Sequence, residues 1–410
     1  MSRPATLAQA VILNAELATW PGAIEREVAR PVLEIGGRPF IAWQMRELQR
    51  YGVEEFLIVS GPLSQDVQEV LAHAADLLPK PASLRFATTP SDVGSAGALR
   101  HAAPQLAERF LLVNGTCLFA TNFAALLRDF ATDGPETLAR LLLTELPDTS
   151  GHTVAQINAG HVVHLDPAPP ATDPGLVHSG IAAIDRRLVE FCPPSGSLRR
   201  EVLPNLAATG HLRATMAAGF FVDIARPTDL QTARYELEPV LQRPSLFLDR
   251  DGVLNHDHGY VGSRERFHWI DGALDALKLA TDHGWLVFIV TNQSGVGRGL
   301  YSEQDVTGLM RWIADEARRH GGTIDDWRIC PYHPEATVPA YRRESEWRKP
   351  RPGMILNLIT TWELAPSHCL LVGDQTIDLE AARNAGIRGE IFPGGNLADF
   401  LHPLLLSRGR

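Results

Sequence analysis

The sequence predicts an α/β protein of two domains, each built on a sheet covered by helices. Two observations carry that prediction. Short β-rich apolar runs ("QAVIL", "EEFLIVS", "RFLLVNG", "SLFLD", "WLVFIVT", "HCLLVGD") alternate with helix-patterned segments at 40–51, 272–283, 302–319 and 376–385. Such alternation marks parallel sheets buried on both faces. The segment "ELEPVLQRPS" (236–245) sets two prolines just ahead of a fresh strand. It separates domains at 1–240 and 244–410.

Bulk properties exclude several classes of partner. A net charge of −10 gives no electrostatic reason to bind nucleic acid or an anionic membrane. No apolar stretch approaches the ~20 residues that span a bilayer. The start, "MSRPATLAQAVILNAELATW", meets a charged residue too early for a secretory leader. Cys117, Cys192, Cys330 and Cys369 form no C-x-x-C pair and suit a reducing compartment. The expectation is a cytoplasmic protein acting on a small molecule.

In open α/β sheets ligands bind outside the carboxyl ends of the strands, so those ends hold the chemistry. In the second domain the first strand runs into "SLFLDRDGVLN" (245–255) and delivers Asp249 and Asp251. Carboxylates at the end of a buried strand are costly unless a metal ion or a chemical task compensates them. The next strand, "WLVFIVTNQSG", delivers Thr291 and Asn292. "EWRKPRPGM" offers Arg348 and Lys349 just before a helix, and "HCLLVGDQTIDLEAARNAG" delivers Asp374 and, one helical turn on, Asp378. Each segment alone has an ordinary structural reading as a loop start, a solvated basic loop or a strand end. Four in this order, each at a strand end or a helix start, converge on one sheet edge.

Phosphoryl transfer through an aspartyl phosphate suits the set. Asp249 would attack phosphorus, and Asp251, past one pleat, would serve as general acid and then general base. Thr291 would hold phosphoryl oxygens, and Lys349 would offset charge on the nucleophile and the transferring group. Asp374 would hold Mg²⁺, the cation that carboxylates, water and phosphate oxygen favour. Asp378 would support the metal shell or orient Lys349.

"LFLDRDGVLN", "VTNQSG", "RKPRPGM" and "VGDQTIDLEAARNAG" resemble the four motifs of the haloacid dehalogenase superfamily. "NHDHGYV" (255–261), "FIVTNQSGVGRG" (288–299) and "CPYHP" (330–334) resemble its heptose 1,7-bisphosphate 7-phosphatase and histidinol-phosphate phosphatase branch. The resemblance implies a Rossmannoid parallel sheet without a large cap. It makes Asp249 the nucleophile, Asp251 the acid/base, and Asp249, Asp251 and Asp374 the Mg²⁺ contacts, with Thr291 and Lys349 on phosphoryl oxygens. It places Asp257, His258, Gly259, Tyr260, Asn292, Gln293, Ser294, Arg348 and Gln375 against substrate. The branch also carries a zinc site of the form C-x-H then C-x-C. Here those pairs read Cys330 and Tyr332, then Ser345 and Trp347. One thiolate is too few for tetrahedral zinc, so no zinc is expected and loop 331–347 should be held by its own packing.

In the first domain, "AVILNAELATWPG", "ARPVLEIGGRPFIAWQMRELQRYGVEEFLIVSG", "GSAGAL", "FLLVNGT" and "GFFVDIARPTDLQTA" resemble the sugar-phosphate nucleotidylyltransferases over about 10–235. The resemblance implies a Rossmann-like mixed sheet. The family's glycine-rich phosphate loop is replaced by Ala15, Glu16, Ala18 and Trp20, its lysine by Arg30 and its first metal aspartate by Thr116. Glu16 puts negative charge where a triphosphate would sit, and Pro21 has no N–H to give. Asp223 survives at the second metal position, with a local strand-end role as its plain alternative. "IGGRP" reads as a turn. The expectation is a degenerate domain that binds a sugar phosphate or nucleotide sugar, regulates its neighbour or builds a homo-oligomer.

The function expected of the chain is a Mg²⁺-dependent sugar-phosphate phosphatase of nucleotide-heptose synthesis, acting on heptose 1,7-bisphosphate. A bifunctional phosphatase and nucleotidylyltransferase, a histidinol-phosphate phosphatase and a non-catalytic scaffold are the alternatives. An intact set of Asp249, Asp251, Lys349 and Asp374 argues against the scaffold.

Overall fold

The computed structural model describes residues 7–14, 32–63, 65–166 and 174–406. The replaced loop (Ala15, Glu16, Ala18, Trp20, Pro21, Arg30) and most of the proline-rich 165–175 segment lie outside them. Two compact units are present, Met1–Leu241 and Gln242–Arg410. No helix among the described residues is long and apolar enough to cross a membrane.

The first unit is built on a nine-stranded sheet. Its first strand, Gln9–Asn14, pairs in parallel with Glu55–Ser60 on one side and Arg109–Asn114 on the other. Ser83–Thr88 lies outside Glu55–Ser60, also parallel. Beyond Arg109–Asn114, the antiparallel strand Gly175–Asp185 makes the sheet mixed. The chain therefore leaves its first strand in one direction and returns on the other side, which opens a crevice between Asn14 and Asn114. "IGGRP" forms the two-strand turn expected of it, Glu34–Ile35 against Arg38–Pro39, with Gly36 and Gly37 at positive φ.

The second unit carries a five-stranded, all-parallel sheet. Its order is Asp326–Cys330, Leu286–Asn292, Ser245–Leu248, Cys369–Gly373, Arg388–Ile391, so the first strand of the unit lies at the centre. Period-2 alternation explains its burial on both faces. Leu246, Leu248, Val287, Ile289, Leu370 and Val372 enter one core, with Leu277, Met310 and Leu401 from three helices. Phe247, Phe288, Val290 and Leu371 point the other way, onto Met354, Leu358, Trp362 and Ala381. Helix Glu303–His320 is fixed at its start by a Ser302–Asp305 capping box and ends at Gly321, φ 104°. The switch point falls between Ser245–Leu248 and Cys369–Gly373, the two strands that run into Asp249 and Asp374.

Candidate active site

Asp249 follows the last residue of the central strand, and its N–H donates to Val372 O at 3.0 Å. That bond ties the end of one strand to the end of its neighbour, whose chain turns one residue later, at Gly373, into Asp374. Lys349 reaches the same point from the loop before helix Gly353–Trp362. Its Nζ lies 2.8 Å from Asp249 Oδ2 and 2.7 Å from Asp378 Oδ1, with the ammonium 2% exposed and the Asp378 carboxylate fully buried. Asp378 stands in the first turn of helix Thr376–Asn384, where Gln375 N donates to its second oxygen at 3.1 Å. Both Asp378 oxygens are thus engaged, one by the lysine and one by the helix N-terminus.

Carboxylate oxygens of Asp249, Asp374 and Asp378 all lie within 4.8 Å of one another. One ammonium faces three carboxyl groups, so negative charge is in surplus. Burial raises the Asp249 carboxyl to about 7, with Lys349 pulling it down and the Asp378 charge pushing it up. Asp374 is raised by burial and then by Asp378. Lys349 is held above its ordinary value because Asp249 and Asp378 outweigh its burial. Asp374 Oδ1 is buried with no hydrogen-bond partner. A surplus of buried oxygen donors, one of them orphaned, fits a hard divalent cation.

Two glycines make this convergence sterically feasible. A Cβ at Gly252, where φ is +87°, would lie 2.3 Å from Asp374 Oδ2. A Cβ at Gly373 would lie 2.2 Å from Asp378 Cβ.

The Asp251 carboxylate stands apart from the group formed by Asp249, Asp374 and Asp378. Arg250, fully buried, holds it there, with Nη2 2.7 Å from both Asp251 oxygens and 2.6 Å from Val261 O. Asn255 Nδ2 (2.9 Å) and Gln293 Nε2 (2.8 Å) donate to the same carboxylate. Sequence reading passed over Arg250; a charged residue between two aspartates at the end of an apolar strand was the available signal.

The expected substrate positions divide. Asn292 faces the loop of Lys349: its Nδ2 donates to Lys349 O and its Oδ1 accepts from Lys349 N, both at 3.1 Å. Gln293 is 1% exposed, donates to Asp251 and to Thr291 Oγ1 (2.9 Å), and accepts from the Tyr301 hydroxyl at 2.9 Å. Both side chains hold other residues in place. Thr291 is buried, and Ser294 begins the short helix Ser294–Gly297 beside it. Asp257, His258, Gly259 and Tyr260 form an exposed turn in which Asp257 Oδ1 accepts from Gly259 N at 2.8 Å. Arg266 donates to the carbonyls of His258 and Gly259, and the Arg298 guanidinium lies 5.7 Å from the centre of the Tyr260 ring. Gln375 is exposed at the start of its helix.

Arg348, half-buried, donates to Tyr332 O at 3.3 Å. Its pKa is lowered by burial first and then by the nearby Arg298 charge, and His333 is lowered by burial and by the same two arginines. Arg298, Arg348 and His333 thus lie within electrostatic reach of one another, with Glu344 beside them. Loop 331–347 is packed on itself: the Arg343 guanidinium sits 3.9 Å from the Tyr332 ring centre, and Tyr332 and Tyr341 rings are 6.0 Å apart. Cys330 is buried, its Sγ 3.9 Å from Tyr332 O, and His333 Nδ1 accepts from Glu335 N at 3.0 Å.

In the first unit, Asp223 ends strand Phe220–Asp223 and its Oδ1 accepts from Ala225 N at 3.0 Å, the local strand-end role. Thr116 packs against Asn114, its hydroxyl 3.2 Å from Asn114 Oδ1.

Comparison with known proteins adds the following. Residues 346–396 match the Hydrolase_like family model, of HAD-hydrolase-like proteins. The chain is 47% identical over 169 residues, 41% of its own length and 94% of the relative's, to D-glycero-beta-D-manno-heptose-1,7-bisphosphate 7-phosphatase of Rhodopseudomonas palustris. It is 43% identical over 147 residues, 36% of its length and 78% of the relative's, to D-glycero-alpha-D-manno-heptose-1,7-bisphosphate 7-phosphatase of Burkholderia mallei. Among solved structures, HddC from Yersinia pseudotuberculosis aligns at 20% identity and a TM-score of 0.50, covering 56% of this chain and 99% of that one, a likeness of fold.

Proposed function

The chain belongs, through its C-terminal unit, to the haloacid dehalogenase-type heptose-bisphosphate phosphatases, and we propose that it removes one phosphate from a small sugar phosphate, foremost the 7-phosphate of D-glycero-D-manno-heptose 1,7-bisphosphate. The observation that carries this reading is the buried Asp249–Lys349–Asp378 ion-pair chain closed by the orphaned oxygen of Asp374.

In this reading an Asp249 oxygen attacks phosphorus and forms an acyl phosphate as the bond to the sugar oxygen breaks. Asp251 gives its proton to that leaving oxygen. It then takes one from water as the water attacks the acyl phosphate, which frees inorganic phosphate and restores Asp249. Arg250, Asn255 and Gln293 hold Asp251 in place for both transfers. Lys349 holds the nucleophile's carboxylate and offsets charge gathering on the phosphoryl oxygens. Asp249 and Asp374 are the residues that would hold Mg²⁺, with Asp378 behind them. When bound, Mg²⁺ supplies charge neutralisation at the phosphoryl group.

The neighbouring guanidinium groups of Arg298 and Arg348 support a substrate with a second anion, since a planar guanidinium matches phosphate in two directions. Histidinol phosphate offers an ammonium there instead, and is disfavoured. Zinc has no part in this reading, because Cys330 is the one thiolate left where tetrahedral zinc takes four Cys or His ligands. The test is phosphate release by the purified chain from heptose 1,7-bisphosphate and from histidinol phosphate, with Mg²⁺. Failure to release phosphate from the bisphosphate would overturn the proposal.

A further inference from the structure

Tyr301 stands between the short helix Ser294–Gly297 and helix Glu303–His320 and belongs to neither. Its ring lies against two stretches of main chain that only glycine leaves bare, since a Cβ at Gly262 or at Gly295 would collide with it. The ring therefore has one seat, and its hydroxyl points one way. That hydroxyl donates to Gln293 Oε1 at 2.9 Å. Burial raises the phenol to about 12, so the oxygen keeps the proton it donates.

The bond orients the buried Gln293 amide. With its oxygen on Tyr301, its nitrogen faces the other way and donates to Asp251 Oδ2 at 2.8 Å and to Thr291 Oγ1 at 2.9 Å. One direction of the amide satisfies all three partners. The other side chains on Asp251 are donors too. Arg250 Nη2 is one, and Asn255 Nδ2 is the second, held in the same sense by His256 O, which can only accept, at 2.9 Å. In each of these bonds Asp251 accepts, so when it carries a proton none of the three can take it. The Asp251 side chain is 21% exposed, which leaves that proton the open side, where a substrate oxygen arrives. Gln293 alone could change this. Turned over, its Oε1 would face Asp251 and accept the proton itself. The Tyr301 hydroxyl opposes that turn, because it would then meet the amide nitrogen, donor against donor.

We infer that the Tyr301 hydroxyl is a positioning group of the phosphatase: it fixes the Gln293 amide so that the Asp251 proton goes to the leaving sugar oxygen and not to Gln293. The inference rests on the phosphatase reading above and leaves its step unchanged. As the bond from phosphorus to the sugar oxygen breaks, the proton passes from Asp251 to that oxygen and Asp251 is left ionised. Tyr301 touches neither substrate nor reacting atoms and acts through Gln293.

The experiment is steady-state phosphate release by the full-length chain in Mg²⁺ from two esters. The sugar alkoxide of heptose 1,7-bisphosphate needs a proton to leave, whereas the phenolate of p-nitrophenyl phosphate leaves without one. Tyr301→Phe keeps the ring in its seat and removes only the hydroxyl. Its kcat on the bisphosphate is expected to fall about tenfold or more with KM within about twofold, and the ratio of the two kcat values to fall by about fivefold or more. Gln293→Glu, which sets an oxygen towards Asp251 permanently, is expected to show the same selective loss and is read alone should Tyr301→Phe fail to fold. An unchanged kcat on the bisphosphate overturns the inference, and so does an equal fall on both esters, the mark of a merely structural role. If the wild type does not accept the aryl ester, the bisphosphate decides by itself, and a raised KM with kcat kept overturns the inference. A wild-type chain that releases no phosphate from the bisphosphate overturns the phosphatase reading, and the inference with it.

Discussion

Asn292 grips the main chain of Lys349 from both sides, donating to its carbonyl and accepting from its N–H at 3.1 Å each. The two residues are 57 apart in sequence, and this pair fixes where the ammonium enters the carboxylate cluster. If Lys349 acts on the nucleophile, loosening the grip must cost turnover. Asn292→Ala is expected to lower kcat on the order of 10²-fold, the effect of an ångström-scale misplacement, with the melting temperature little changed. An unchanged kcat would show that Lys349 is held by its ion pairs alone.

Asp249→Asn removes the nucleophile without changing shape and is expected to lower phosphate release by several orders of magnitude while circular dichroism is unaltered. Turnover near wild type would move the nucleophile to another residue.

The same variant should report on the buried charge. In the metal-free protein Asp249 has its carboxyl raised to about 7 from an ordinary 3.8. Between those values the folded chain holds a proton that the unfolded chain has lost, so this group's contribution falls as pH rises, by up to about 1.4 kcal/mol per pH unit. Asp249→Asn is free of that loss. In EDTA the variant should therefore gain stability over wild type between pH 5 and pH 8, read as the difference between their melting curves. A gap that does not vary with pH would mean that the carboxyl titrates normally.

Chelation is expected to silence the enzyme and Mg²⁺ to restore it. Saturating Mg²⁺ should also raise the melting temperature, by the equivalent of about 2.7 kcal/mol at a hundredfold excess over Kd. Asp374→Asn and Gly252→Ala should each abolish that shift, the second because its methyl would occupy the space of the Asp374 carboxylate. Metal analysis of the purified chain should find no stoichiometric zinc. A Mg²⁺ shift that survives both variants would place the cation elsewhere.

Arg348→Ala should separate substrates. Loss of a charged hydrogen bond, about 1.5–3 kcal/mol, predicts a KM for the bisphosphate raised about 10–100-fold. A monophosphate lacking the second anion should be nearly unaffected. Equal losses on both would mean that Arg348 serves the loop and not the substrate.

How much of this was legible in advance follows from the range of the forces involved. Strand–helix alternation, the apolar runs before Asp249, Thr291 and Asp374, and the parallel sheet they imply are local patterns, and the chain wrote them out directly. Which residues would stand at the carboxyl edge followed too, because strand ends are set by where the apolar run stops. The partners of those residues did not. Arg250 takes the Asp251 carboxylate, Gln293 is shared between Asp251, Thr291 and Tyr301, Asn292 holds the Lys349 backbone, and Asp378 joins Asp249 and Asp374 in one cluster. Each of these choices is a contest between donors brought within 3 Å by a fold that joins four separate segments, and hydrogen bonding decides such contests only at that distance. In the first unit, likewise, the apolar strand runs were legible in the sequence, while the crevice between Asn14 and Asn114 exists only because two strands far apart in the chain lie side by side.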